Sequence, residues 1–420
     1  MTDPRPLFTS AFTAAVAAAD PARTIRAHLP ERPKGRTIVV GAGKGSAQMA
    51  RAFEEAWDGP LEGAIVTRYG YGCECRRIEV IEAAHPVPDE AGLKGAERLF
   101  GLVEGLTADD LVVALVSGGG SALLPAPPEG MTLVDEVAVN RALLASGAPI
   151  SAMNTIRKHL SRIKGGRLAL AAAPARVASL IVSDSPGDNP AFVASGPTVA
   201  DAADRAEALA LVDAWRIELP EAARRHLASA VADAPRPDDP RLARNSVAVI
   251  ASAAISLDAA AAAAKAAGIE AVILSDAIEG EARDVGLVHA AIAREIATRD
   301  RPFARPVLLL SGGETTVTLR NRDGRGGRNS EFLLSFALGV QGVEGIHAFA
   351  ADTDGIDGSE DNAGAFADWR SAARMREAGL DPRALLNANR AWDAFSGVGD
   401  LFVPGPTGTN VNDLRAILVV

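Results

Sequence analysis

The stretch TIVVGAGKGSA, residues 37–47, sets a short β-branched run against a glycine-rich loop and opens an alanine-rich, helix-prone segment behind it. Strand, glycine loop and helix in that order make the unit from which doubly wound α/β proteins are built. The unit recurs: Leu111 to Val116 into SGGGSA, Ser179 to Val182 into SDSPGD, Val247 to Ile250 into ASAA, Ala271 to Leu274 into SDAIEG, Pro306 to Leu310 into SGGE, and Ile346 to Ala350 into ADTDG. In open parallel sheets ligands sit at the carboxyl ends of the strands, so the pattern predicts one crowded functional edge. The run Ala259 to Ala264, with Asp258 as its expected N-cap and Gly268 closing it, reads as a packing helix.

At 420 residues the chain is long enough for two or three domains. The proline-rich polar stretch ADAPRPD (232–238), followed by a fresh strand signal at Val247, predicts a boundary at 240/241. The expected architecture is therefore two α/β domains: a Rossmann-like parallel sheet over 1–240 and a smaller α/β domain over 241–420. An internal echo, LVSGGGSALL at 115–124 against LLSGGETTVT at 309–318, raises a duplication as one explanation and coincidence as the other.

A formal net charge of −10 argues against a surface built to hold nucleic acid or anionic membrane, so any anion site must be local. No apolar run reaches the ~18 residues of a membrane span, and the opening MTDPRPLFTSAFTAAVAAAD lacks the basic region of a signal peptide. The expectation is a soluble cytoplasmic protein, a monomer or homodimer. Cys73 and Cys75 are too few for a disulfide framework and read as incidental thiols. Of 43 basic residues only six are lysines, Lys34, Lys44, Lys94, Lys158, Lys164 and Lys265. A lysine kept inside a glycine-rich motif is then informative, because a compact ammonium and a planar guanidinium are not interchangeable at a phosphate.

Several loops have the makings of an anion site. GAGKGS at 41–46 lacks the third glycine of the dinucleotide fingerprint, which is Ser46, and the next strand ends in Thr67 and Arg68 where an NAD enzyme places an acid; an arginine there suits a 2′-phosphate, which leaves NADP as a weakened alternative. What survives is Gly43 and Lys44 at a helix start, an anion site or a merely tight turn. Ser117, Gly118, Gly119, Gly120 and Ser121 offer unencumbered N–H groups and two hydroxyls, the chemistry of a phosphate cradle. NTIRKHLSRIKGGR, from Asn154, carries Arg157, Lys158, Arg162, Lys164 and Arg167 with no acid, and with 157, 161 and 164 on one expected helix face it reads as anion-binding rather than as a solvated basic face. The acidic loops SDSPGD, with Asp184 and Asp188, and ADTDGIDGSED, with Asp352 and Asp354, suit Mg²⁺ held jointly with phosphates, or simple loop turns. Arg325 and Arg328, on the glycine-rich RDGRGGRNSE, suit a carboxylate or a transferring phosphoryl on a loop mobile enough to close. His85 reads as structural, with a place at the site edge left open.

Taken together, GAGKGSAQMA, AAHPVPDEAG, VSGGGSALL, MNTIRKHLSRIKGGRLA, SDSPGDNPAFVASGPT, LLSGGETTVT, GRGGRNSEF, AADTDGIDGSEDNAGA and GPTGTNVNDL resemble, in order over most of the chain, the class II glycerate 2-kinase family with its C-terminal MOFRL domain. The resemblance implies ATP- and Mg²⁺-dependent phosphorylation of D-glycerate at its 2-hydroxyl to 2-phosphoglycerate, in a cleft between two α/β domains, with the MOFRL region at about 305–415. It implies catalytic roles for Lys44, Arg328 and Asp354. From the chemistry of the loops themselves, and not from the resemblance, substrate or phosphate contacts are expected at Gly43, the 117–121 loop, Asn154, Arg157, Lys158, Lys164, Asp184 and Arg325, and metal contacts at Asp188 and Asp352. Some members carry the label hydroxypyruvate reductase, which makes an NAD(P)H-dependent reductase the alternative. The segment GCECRR at 72–77 departs from the family motifs.

Overall fold

A computed structural model describes residues 3–420. The chain divides into two compact units, Pro21–Ile250, and the stretch up to Asp20 together with Ala251–Val420. Among the described residues no helix is long and apolar enough to cross a membrane.

The first unit is built on six strands: β1 Thr37–Ala42, β2 Glu62–Arg68, β3 Ile78–Ala83, β4 Leu111–Val116, β5 Arg176–Val182 and β6 Ser246–Ala251. They lie in the order β3-β2-β1-β4-β5-β6, and β1 to β5 pair in parallel. Every residue of β1 and β4 is buried, which is why both read as unbroken apolar runs rather than alternating ones. The order turns back at β1, flanked by β2 on one side and β4 on the other. The register pairs Ala42 with Val116, so the loops after β1 and β4 leave the sheet side by side at its switch point.

In the second unit β7 Glu270–Ser275, β8 Gly280–Glu281, β9 Val307–Ser311, β10 Thr315–Thr316, β11 Ile346–Asp352, β12 Gly364–Asp368, β13 Leu401–Phe402 and β14 Asp413–Val419 form a six-stranded sheet, β13-β12-β11-β14-β9-β7, and a two-stranded ladder of β8 and β10. Only β7 and β9 pair in parallel within the larger sheet; β14 runs antiparallel to both β9 and β11. The glycine loops after β4 and β9 therefore leave sheets of different topology, and no duplicated architecture accompanies the echo between them.

Three expectations differ from the structure. Val247 does not open the second unit: its strand, β6, adds to the first sheet, where Val177 N–H donates to Asn245 Oδ1 at 2.8 Å. The proline-rich stretch is no free linker either, because the Arg167 guanidinium holds the carbonyls of Ala232 (2.8 Å) and Asp233 (3.0 Å). The division thus falls at 250/251 rather than 240/241. The N-terminal helix Arg5–Ala18 belongs to the second unit, where Phe8 stacks on Phe349 and Phe12 meets Phe402 edge-on. It packs on the poly-alanine helix, Ala253–Ala266, whose small side chains let Ser256 Oγ reach Ala15 O at 3.0 Å. That helix is capped by Ser252, whose hydroxyl accepts from Ile255 N–H, and not by Asp258, which lies one and a half turns inside it.

Candidate functional site

The loops after β1 and β4 are laced together. Lys44 N–H donates to Gly118 O at 2.8 Å, Gly45 N–H to Ser117 Oγ at 2.9 Å, and Ser46 Oγ to Leu115 O at 2.9 Å. Gly43, at φ +143°, lies so close to Ser117 that a Cβ would collide with its hydroxyl and carbonyl. The glycines of GAGKGS thus serve the approach of the neighbouring loop, and the N–H groups of Lys44 and Gly45 are consumed internally. This corrects the expectation that Gly43 itself receives phosphate: its N–H is taken by Val66 O at 3.1 Å. Gly43→Ala is expected to lower stability by about 2 to 4 kcal/mol, the sum of a disfavoured backbone and an overpacked contact. Gly45→Ala, whose Cβ would meet Ser117 Oγ at an ordinary 3.5 Å, is the mild control in the same urea titration.

The open N–H groups lie on the second loop. Among the described residues nothing accepts from the N–H of Gly118, Gly119, Gly120 or Ser121. Side chains crowd these glycines: a Cβ on Gly118 would strike the Asp184 carboxylate, and one on Gly119, at φ +82°, would lie 3.1 Å from Lys44 Cγ and 3.2 Å from His85 Nε2. Lys44, His85 and Asp184 therefore meet at one loop. Lys44 is half-buried and has no carboxylate within ion-pairing distance among the described residues. Burial, then the charges of Lys44 and Arg68, push His85 down to about 4, so its ring is neutral at working pH. Sequence reasoning left His85 open; its only signal was an extended proline segment leading to the helix that Asp89 caps through Gly92 N–H.

The two lysines of the basic block are not open to an anion. Lys158 is buried in an ion pair with Asp201 under the Phe192 ring, and Lys164 is buried against Glu136 at 2.9 Å and Leu124 O at 3.0 Å. The helix carrying Arg157 ends at His159, so 157, 161 and 164 share no face. Both lysines found their acids far along the chain, which is why the block looked uncompensated. Asn154 Oδ1 accepts from Arg157 Nη1 at 3.1 Å and from Ser195 Oγ at 3.2 Å, and Ser195 Oγ lies 2.7 Å from Ser121 Oγ on the glycine loop. Asp188, at φ +52°, sits on a short 3₁₀ turn.

In the second unit Arg328 is the first residue of the helix Arg328–Val340 rather than part of a mobile loop. Its Nε donates to Asp413 Oδ1 at 2.7 Å and its Nη2 to Asp352 Oδ2 at 2.5 Å, with Glu314 at 3.4 Å. Asp413 also accepts from Asn329 Nδ2 (2.8 Å) and from the fully buried Arg415 (2.5 Å), and Asp357 caps the helix through the N–H groups of Asn329 and Ser330. Burial acts against the Arg328 charge, but Asp413, Asp352 and Glu314 hold it firmly protonated. Burial, with Asp413 and Asp354 nearby, pushes Asp352 well above the usual carboxylate range although Arg328 opposes this. Asp413, Arg415 and Glu314 were missed by sequence reasoning, although Asp413 stands in the NVNDL ending and Glu314 in SGGE; Asp357 was legible as one more acid of ADTDGIDGSED, though not as a helix cap. Arg325 does not join Arg328: it pairs with Glu360 at 2.7 Å and lies 3.7 Å over the Trp392 ring.

The acids do not form a resident metal centre. Asp352 Oδ2 is held by Arg328 and its Oδ1 by Asp354 N–H at 3.0 Å, while Asp354 Oδ1 accepts from Ile356 N–H at 2.8 Å in a turn. Among the described residues no group of three His, Cys, Asp or Glu side chains is placed to hold an ion. The assignment of Asp352 as a metal ligand is therefore withdrawn. The residues fit magnesium that arrives already bound to the phosphates of a nucleotide, a mode that asks the protein for few carboxylates.

Residues 7–228 match the family model described as Domain of unknown function (DUF4147), and 307–413 match the MOFRL family. A protein of Agrobacterium vitis that carries, as an unproven assignment, the name hydroxypyruvate reductase is 55% identical over 97% of this chain and 93% of its own. A glycerate 2-kinase of Pyrococcus horikoshii is 42% identical over 92% of this chain and 88% of its own. The crystal structure of a glycerate kinase from Thermotoga maritima superposes with a TM-score of 0.89 at 37% identity, covering 99% of both chains. The chain belongs to the glycerate 2-kinase family that carries a C-terminal MOFRL domain.

Proposed function

We propose that the protein transfers the γ-phosphoryl group of ATP to the 2-hydroxyl of D-glycerate, giving 2-phospho-D-glycerate and ADP. One observation carries this reading: among the described residues, a half-buried lysine with no carboxylate partner stands beside four backbone N–H groups with no acceptor. Phosphoryl transfer asks for positioning and charge neutralisation more than for covalent help, and this loop supplies both. Lys44 neutralises charge on the transferring group, the N–H groups of 118–121 orient its oxygens, and neutral His85 offers a hydrogen bond at the same place. Magnesium, brought in on the nucleotide, supplies further neutralisation, with Asp184 the carboxylate beside the loop. Arg328 and Asp354 are read as charge neutraliser and hydroxyl-orienting group, roles that the resemblance implies. The names of the relatives from Pyrococcus and Thermotoga support the substrate.

The test is ADP formation that depends on D-glycerate, with the product examined by phosphorus NMR. A 2-phosphate couples to the single proton on C2 and gives a doublet; a 3-phosphate couples to two protons and gives a triplet. NADH or NADPH consumption with hydroxypyruvate, and no ADP, would hand the site to the reductase reading.

A further inference from the structure

Arg157 carries a charge that pairs with no carboxylate among the described residues. Half-buried on the helix Ile150–His159, it spends its hydrogen bonds on two neutral amides: Nε donates to Asn140 Oδ1 at 3.0 Å and Nη1 to Asn154 Oδ1 at 3.1 Å. No carboxylate lies within ion-pairing distance among the described residues, and Nη2 has no acceptor. Glu136, the acid whose charge does reach it, is taken by Lys164 at 2.9 Å and by Ala126 N–H at 3.1 Å. The next residue, Lys158, shows the contrast: where this fold buries a cation for structure alone, it supplies Asp201. A cation withdrawn from water without a counter-charge is destabilising, so its persistence points to an anion that comes from outside the chain.

Its surroundings say where that anion lies. Ser195 Oγ donates to Asn154 Oδ1, so the hydrogen bond it shares with Ser121 must be donated by Ser121. A relay of fixed direction, Ser121 to Ser195 to Asn154, with Arg157 donating into the same amide oxygen, thus joins the glycine loop to the guanidinium. The backbone is bent to build it: Ala194 and Ser195 hold left-handed conformations at φ 52° and 59°, each disfavoured by about 1 kcal/mol or more for a residue with a Cβ. Strain of this kind persists where a side chain must be aimed.

We infer that Arg157 is the specificity-determining residue for the acid end of the substrate: it binds the carboxylate of a 2-hydroxy acid, and the Ser121–Ser195–Asn154 relay fixes its distance from the phosphoryl group held at the glycine loop. The inference rests on the phosphotransfer reading for what reacts, and on its own geometry for what binds.

The experiment compares D-glycerate with glyceramide, which keeps the 2-hydroxyl and lacks the negative charge, in wild type, Arg157→Met and Arg157→Lys. Loss of a charge-assisted contact is expected to raise the KM for D-glycerate on the order of 10- to 100-fold in Arg157→Met, to leave the KM for ATP within about twofold, and to collapse the preference for glycerate over glyceramide. Arg157→Lys is expected to recover part of that preference. A merely structural arginine would instead lower activity on both compounds alike and keep their ratio, which overturns the inference. Calorimetric titration with D-glycerate separates the two proposals. Binding in wild type that is lost in Arg157→Met supports the anchor even if no phosphoryl is transferred. Phosphorylation by Arg157→Met with an unchanged KM overturns the anchor and leaves the kinase standing. A wild type that neither binds nor phosphorylates D-glycerate overturns both.

Discussion

Lys44→Arg is expected to lose turnover by at least about a hundredfold while its urea midpoint stays at that of wild type. The two halves of this expectation have separate causes. Stability is spared because Lys44 makes no ion pair, and replacing an unpaired, half-exposed side chain changes stability by only about 0.5 kcal/mol either way. Activity is not spared because the charge has to be compact. The lysine stem runs past Gly119 so closely that a Cβ there would come within 3.1 Å of Lys44 Cγ, and His85 Nε2 closes the other side at 3.2 Å from the same point. A planar guanidinium, longer and wider, does not place its charge where a single ammonium sits. Removing one pre-positioned charge or donor from a site of this kind typically costs ~10²–10³ in kcat. Lys44→Ala sets the scale for complete loss. Should Lys44→Arg keep kcat within about threefold of wild type, the lysine is dispensable and the assignment of the glycine loop to the transferring phosphoryl goes with it.

The sequence carried the first sheet well and the second in part, for a physical reason. Buried parallel strands such as β4, LVVALV, announce themselves as apolar runs that end in glycine. The antiparallel return strands of the second sheet do not: β14, DLRAILV, begins with an aspartate and carries an arginine, both buried because they satisfy one another and Arg328. A strand with two charges reads as surface until its partners are known. The same blindness produced the error over Lys158 and Lys164, whose acids lie 43 and 28 residues away. Arg157, in the same block, pairs with no acid among the described residues, and sequence could not tell the three cations apart. Glycine motifs were legible as motifs but not by role. In GAGKGS they make room for a neighbouring strand end, whereas in SGGG they leave N–H groups open and make room for Lys44, His85 and Asp184.

Arg328→Met is expected to destabilise the second unit by about 3–5 kcal/mol, the usual consequence of removing one member of a buried ion network. Asp413, buried, would then keep Arg415 as its cation, a guanidinium also committed to Gly312 O (2.9 Å) and Thr315 Oγ1 (3.3 Å), while the buried Asp352 would keep none among the described residues. Asp352→Asn is expected to be much milder, because burial has already pushed that carboxyl toward its neutral form and the amide reproduces its shape. The pair of variants separates fold from chemistry. If Arg328 serves only the network, adding Asp352→Asn to Arg328→Met removes a buried carboxyl left without its cation, and stability and turnover should rise together. If its charge also serves turnover, the double variant should regain part of its urea midpoint and none of its kcat. We expect the second outcome, with Arg325→Ala far less harmful to either quantity, since Arg325 is half-exposed and its partners Glu360 and Trp392 lie outside the buried network. Recovery of turnover in step with stability would reduce Arg328 to a structural ion, held by two aspartates to start a helix.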